Sequence, residues 1–267
     1  MPSSNPAFGR GFQSATRSGQ FGAAGSTYAP PAPHDPYAAP SPYARSTTRY
    51  LTMDDVVTKT GLTFLVTVVA AAGIWALPGT TGWALALPAI LVGLVLGLFI
   101  AFKMISNPAA TLAYAAVEGV FLGAISEAFD MRWPGIVIQA VIGTLGVFAG
   151  MLVVYKTGAI RVTPKFTRWI VGALIGVLVL VLVNLIASFI TPGGLGLRDG
   201  GPIAIIFSLV VIGVGALSLL LDFDMADEAI RRGAPAKFAW YIAFGLMTTL
   251  VWLYIEILRL LSYLRQE

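Results

Sequence analysis

Trp169-Ile-Val-Gly-Ala-Leu-Ile-Gly-Val-Leu-Val-Leu-Val-Leu-Val-Asn-Leu-Ile-Ala-Ser-Phe-Ile190 contains no charged residue. About 20 consecutive apolar residues carry a helix across the ~30 Å hydrocarbon core of a bilayer, so this stretch reads as a membrane span. Six more stretches of similar length and character accompany it: Thr60 to Leu77, Trp83 to Phe102, Ala109 to Phe129, Trp133 to Val154, Pro202 to Leu221 and Ala239 to Leu261. The expected fold is an all-α integral membrane protein, a seven-transmembrane-helix bundle over residues 51–267. Met53-Asp-Asp-Val-Val-Thr-Lys59 reads as the entry to the first helix, with Thr52 or Asp54 as N-cap.

The composition excludes a soluble globular protein. Of 267 residues, 57% are hydrophobic and 11% charged, against about 25% charged in soluble domains, and the mean hydropathy is +0.82. The chain has no cysteine, which removes disulfides, thiolate catalysis and Cys-based metal sites. Its one histidine, His34, stands among prolines, so no His-dependent triad or two-histidine metal site lies in the membrane. Neither an enzymatic activity nor a cofactor is expected. Chemistry is left to carboxylates.

Residues 1–50 are rich in Gly, Pro, Ser, Ala and Tyr without apolar periodicity, and read as a disordered tail through which protein partners could bind. Nothing before about residue 60 has the apolar stretch of a cleaved secretory signal, so insertion by the first span is expected. Lys and Arg then orient the bundle, because they favour the cytoplasmic flank. Thirteen fall on the side of the tail, including Arg45, Arg49, Lys59, Lys103, Lys156, Arg168, Arg231 and Lys237, and four (Arg132, Arg198, Arg259, Arg265) on the other. This distribution places the N-terminus in the cytoplasm and the C-terminus outside a bacterial plasma membrane. The net charge of +4 thus serves orientation, and nucleic acid is not an expected partner.

Trp83, Trp133 and Trp169 at helix starts read as interfacial anchors or as packing residues. Gly93/Gly97, Gly119/Gly123, Gly146/Gly150 and Gly172/Gly176 each put two small residues on one helix face. Close helix packing inside one bundle is the favoured reading of these pairs over a dimer seam. No internal repeat points to an inverted-repeat transporter.

An ionisable side chain at a helix centre costs at least ~2.5 kcal/mol and therefore needs a partner, water or a task. Glu118 lies near the middle of the third span, in Ala115-Ala-Val-Glu-Gly-Val-Phe-Leu-Gly-Ala-Ile-Ser126. Either it bonds a neighbouring helix or it belongs to a permeation path. Glu127, nine residues on and near the outer interface, is explained by solvation. The sixth span ends Leu219-Leu-Leu-Asp-Phe-Asp-Met-Ala-Asp-Glu-Ala-Ile-Arg-Arg-Gly233. Helical spacing puts Asp224, Asp227 and Glu228 on one face and Asp222 on roughly the opposite one. Asp227 and Glu228 read as solvated or paired with Arg231 and Arg232, while at least one of Asp222 and Asp224 should face the interior. In the seventh span Glu256 and Arg259 lie three apart and can neutralise each other. The alternative is a carboxylate pair between Glu256 and an acid of the sixth helix, sharing a proton near neutral pH. Protonated, such a pair holds two helices together; ionised, it repels and offers the hard oxygens that Ca²⁺ prefers.

The seven-span layout, Glu118-Gly-Val-Phe-Leu-Gly-Ala-Ile-Ser126, the Leu-Asp-Phe-Asp of the sixth helix and Trp252-Leu-Tyr-Ile-Glu-Ile-Leu-Arg-Leu-Leu261 resemble the Bax inhibitor-1 (transmembrane Bax inhibitor motif) family, particularly actinobacterial members with a Pro-rich tail. The similarity covers about residues 50–265. It implies a pH-sensitive calcium leak channel with the last helix central, protons and Ca²⁺ as its ionic partners, and a sensor made by Asp224, or else Asp222, with Glu256. Asp222, Asp224, Glu256 and Glu118 are the expected oxygen ligands of the permeant ion. Three positions depart from the family pattern. Glu256 stands where Asp is common, Arg259 stands near an Asn-like position, and the sixth-to-seventh connection is long. On these spans Asp224 and Glu256 are about 25 Å apart in depth, at 1.5 Å per residue. They meet only if the sixth helix extends to about Arg231 and residues 237–244 lie partly outside the hydrocarbon. Rival readings are a non-conducting interaction or regulatory protein and a proton-coupled transporter. An intramembrane protease lacks its Ser/His pair or two-aspartate motif.

Overall fold

The computed structural model describes residues 49–77 and 81–266. Residues 1–48 of the expected tail lie outside the described residues. Seven long helices follow in order: α1 (Met53–Trp75), α2 (Thr81–Lys103), α3 (Pro108–Arg132), α4 (Ile136–Thr157), α5 (Pro164–Ser188), α6 (Pro202–Arg231) and α7 (Ala239–Leu264). All seven are long and apolar enough to span a membrane, and the described residues contain no strand. Most run past the apolar stretches read from sequence, because the helical hydrogen-bond ladder continues into the polar flanks.

Their ends are set by local chemistry. Thr52 caps α1: its hydroxyl accepts from Asp55 N–H while the Asp55 carboxylate accepts from Thr52 N–H, a reciprocal capping box. Asn107 caps α3 and Thr163 caps α5, each followed by proline at the first helical position, where a missing N–H costs nothing. Gly158 closes α4 and Gly233 follows α6, both with positive φ.

Bilayer hydrocarbon does not drive helices together, so close approach must come from shape. Gly119 and Gly123 of α3 lie directly against the α1 backbone. A Cβ at Gly119 would stand 2.4 Å from the Thr67 carbonyl oxygen, and one at Gly123 2.5 Å from that of Ala71. Gly93 and Gly97 of α2 make room for the Glu118 carboxyl and the Tyr114 ring of α3. These two pairs therefore pack the bundle internally. Gly146/Gly150 and Gly172/Gly176 face open space.

The resulting bundle is built around α7, which packs on α1, α3, α4 and α6. Its span is 67% buried, whereas no other exceeds 44%, and α5, at 11%, is carried at the edge on α6. Trp169 at the start of α5 is exposed, as an anchor requires, while Trp133 packs on Phe129. The side chain of Trp83 lies outside the described residues.

Arg49 and Tyr50, placed in the tail from sequence, pair instead with the α6–α7 connection. Ala236 N–H donates to the Arg49 carbonyl at 2.7 Å, Leu51 N–H to the Ala234 carbonyl at 2.8 Å, and Tyr50 bridges Pro235. Leu51 is buried among Phe223, Ala226, Ala239 and Ile242. Lys59 reinforces this strap, donating to the Ala236 carbonyl while pairing with Asp55.

Gly119→Val and Gly123→Val should each lower stability in detergent micelles by about 1–3 kcal/mol, the usual cost of overpacking. Gly172→Val, in open space, should change it by less than about 0.5 kcal/mol. Thermal unfolding followed by circular dichroism checks both.

Candidate functional site

The acids of the bundle distribute along α7 at different depths. Near the far end, where α6 begins, Glu256 is 2% exposed and fully engaged. Ser208 of α6 donates to its Oε1 at 2.8 Å, and Arg259 donates from Nη1 to its Oε2 at 2.7 Å. Arg198, in the loop that enters α6 and outside the membrane-spanning helices, approaches the same group. Partial desolvation, then the like charge of Arg259, hold its guanidinium below the ordinary range, while Glu256 acts in the opposite sense. Of the two pairings open to Glu256, the structure forms the one within its own helix.

Asp222 lies elsewhere. Its Oδ2 accepts from the Thr249 hydroxyl of α7 at 2.7 Å, beside Gly245, where a Cβ would stand 3.8 Å from Oδ1. Thr249 precedes Glu256 by seven residues, about 10 Å along the axis. Ser208 precedes Asp222 by fourteen, about 21 Å. α6 does extend to Arg231, as a meeting of Asp224 with Glu256 required. That extension nevertheless sets Asp222 against Thr249 and leaves Glu256 to Ser208. The carboxylate pair expected between α6 and α7 is therefore not formed.

Asp224, two residues from Asp222, is turned away from α7. With Asp227 it faces Tyr155 at the end of α4, whose hydroxyl donates to Asp227 Oδ2 at 3.5 Å. Asp227 and Glu228 pair with Arg231, and Glu228 also with Arg232. Of the two candidates on the sixth helix, Asp222 is the one that meets α7.

Glu118 lies between α2 and α3. Its Oε1 would stand 3.2 Å from a Cβ at Gly93, and Tyr114, one turn earlier, approaches its carboxyl. Tyr114 stacks edge-on against Phe244 of α7, and its hydroxyl lies 3.2 Å from Thr248 Oγ1. Adjacent threonines of α7 thus serve two acids on different sides: Thr249 meets Asp222 directly, and Thr248 meets Glu118 through Tyr114.

Asp222, Asp224, Glu118 and Glu256 consequently face different elements. Among the described residues no three acidic or histidine side chains converge as metal ligands. The four expected oxygen ligands therefore stand apart and form no single cluster.

The model of the Bax inhibitor 1 like family matches residues 5–266. The chain belongs to that family. No curated protein matches it. In this Bax inhibitor 1 like bundle, sequence reasoning overlooked the hydroxyl partners. Ser208, Tyr114, Thr248 and Thr249 are polar residues within apolar runs, and the Thr248-Thr249 doublet in the middle of α7 was the available signal. Only packing reveals which acid each serves.

Arg259→Leu should destabilise the fold by about 3–5 kcal/mol, because it removes the cation that pairs with buried Glu256. Glu256→Leu combined with Arg259→Leu should recover most of that loss. A double-mutant cycle on thermal unfolding measures the coupling, and additive effects would contradict a buried pair.

Proposed function

We propose that this chain is a passive, pH-sensitive Ca²⁺ leak of a bacterial plasma membrane, with Asp222 as the titrating group of the contact between α6 and α7. Family membership supports the general reading, and the Asp222–Thr249 hydrogen bond carries the specific one. Asp222 is half-buried on a spanning helix and, among the described residues, its hydrogen-bond partner is a neutral hydroxyl with no cation in salt-bridge range. A carboxyl so placed is neutral at no electrostatic cost and ionises only with water or a cation at hand. Protonated, Asp222 can donate as well as accept, and α6 stays joined to α7. Ionised, it draws hydration and divalent cations to the gap between them. Flux therefore rises with pH as Asp222 loses its proton.

Glu256 has a structural role in this account, because Arg259 balances its charge. Glu118, tied through Tyr114 to Thr248, stabilises the α2–α3 side of α7. The positive-charge bias supports a cytoplasmic N-terminus. A second reading, a regulatory protein that works through residues 1–48, gains support from the strap that joins residues 49–51 to the α6–α7 connection. Deleting residues 1–48 separates the two: a leak survives the deletion, whereas a tail-dependent regulator loses its function.

In vesicles loaded with a Ca²⁺ indicator, wild-type flux should climb as pH is raised across the titration range of this carboxyl, since below its midpoint the ionised fraction changes up to about tenfold per pH unit. Asp222→Asn should hold flux at the acidic level across that range. Glu256→Gln with Arg259→Gln, if folded, should keep the wild-type slope. A wild-type slope in Asp222→Asn would overturn the assignment.

A further inference from the structure

A crevice of about 250 Å³ opens sideways in the bundle between α1 and α4, which do not pack on one another. Val68 and Trp75 form one rim, Val141 and Leu145 the other, and all four are exposed toward the surroundings of the bundle. Its floor is α7, through buried Met247 and Val251. The opening therefore leads from the outer surface of the spanning helices to the central one.

Four hydroxyl residues line it, and each hydroxyl takes part in a hydrogen bond within the protein. Thr67 donates to the Ala115 carbonyl at 3.1 Å, Thr144 to the Ala140 carbonyl at 2.8 Å, and Ser126 and Tyr254 bond each other at 2.6 Å. Buried water needs two to four polar partners, and an apolar cavity of ~150 Å³ is known to stay dry while accepting apolar guests. The lining of this crevice is almost wholly apolar, which leaves water too few partners to settle there. Left empty, the crevice would deprive its lining of dispersion partners on that side. Only hydrocarbon lies at this depth outside a spanning bundle, and a bilayer chain is as apolar as leucine.

We propose that the crevice between α1 and α4 is a binding site for one acyl chain of a membrane phospholipid, which inserts from the bilayer and packs against α7. The chain completes the wall that α1 and α4 leave open. It touches α7 at Met247, Leu250, Val251 and Tyr254, the residues on either side of Thr248 and Thr249. Lipid chain length and unsaturation thereby bear on the helix that holds Asp222.

The absence of native cysteine allows one thiol to be placed freely. Ala72→Cys on the crevice rim and Leu178→Cys on the exposed face of α5 are each labelled with a small fluorophore. Both proteins are reconstituted in phosphatidylethanolamine–phosphatidylglycerol vesicles with brominated acyl chains, then extracted into unbrominated detergent. Both labels should be quenched in the vesicles. After extraction the α5 label should recover fully, and the crevice label should stay quenched by retained lipid. Val141→Phe, or Val68→Phe should the first fail to fold, narrows the mouth and should abolish the residual quenching. Native mass spectrometry should then show one phospholipid fewer per chain. Equal recovery of the two labels would overturn the site, as would retention that survives a folded Phe variant. A co-purifying apolar molecule without phosphate would overturn the choice of occupant.

Discussion

A polar group in hydrocarbon has no water to fall back on, and this structure is organised by that constraint acting on α7. The central helix carries an acid, a cation and two adjacent hydroxyls, and each finds its partner within the protein: Glu256 in Arg259 and Ser208, Thr249 in Asp222, Thr248 in Tyr114. These contacts fix both the rotation and the depth of α7 against α6 and α3. Apolar side chains alone would not do so, since a leucine face packs almost equally well one turn higher or lower. The glycines of α2 and α3 then bring the outer helices close enough to shield the polar contacts.

Two depths along α7 differ in what they do with charge. At the far end Glu256 and Arg259 cancel, giving a contact that is strong while both are present and costly to halve. Further along, Asp222 meets only a hydroxyl, a contact whose hydrogen bonding reorganises with one proton. In the proposed function, a neutralised pair at one depth and a titrating one at another would let the contact between α6 and α7 change at one depth while it holds at the other. The strap from residues 49–51 holds the connection between these two helices.

The bundle was largely legible in the sequence, and the reason is physical. Span length and hydropathy are one-dimensional properties, and the bilayer tests them directly. Helix rotation was legible too where it depends on 100° per residue: the split that turns Asp222 away from Asp224 and Asp227 follows from spacing alone. Depth was not. Whether Asp222 meets residue 249 or residue 256 depends on the length of α6 beyond the apolar run, on the turn at Gly233 and on the strap, none of which hydropathy reports. The i, i+3 spacing of Glu256 and Arg259 permitted their pairing, but only the burial of that end by Ser208 and the helices around it decides in its favour. Leu51 was hidden for a similar reason: a single apolar residue beside a polar tail has no periodicity to reveal it.

In the proposed function, Asp222 exchanges a proton while hydrogen-bonded to Thr249. Infrared difference spectroscopy on the reconstituted protein, with aspartate carboxyls isotopically labelled, reads this directly as pH is stepped. A protonated-carboxyl band should vanish on raising the pH, be absent in Asp222→Asn and move to higher frequency in Thr249→Val. A band that persists unchanged in Asp222→Asn, or that ignores Thr249→Val, would contradict that exchange.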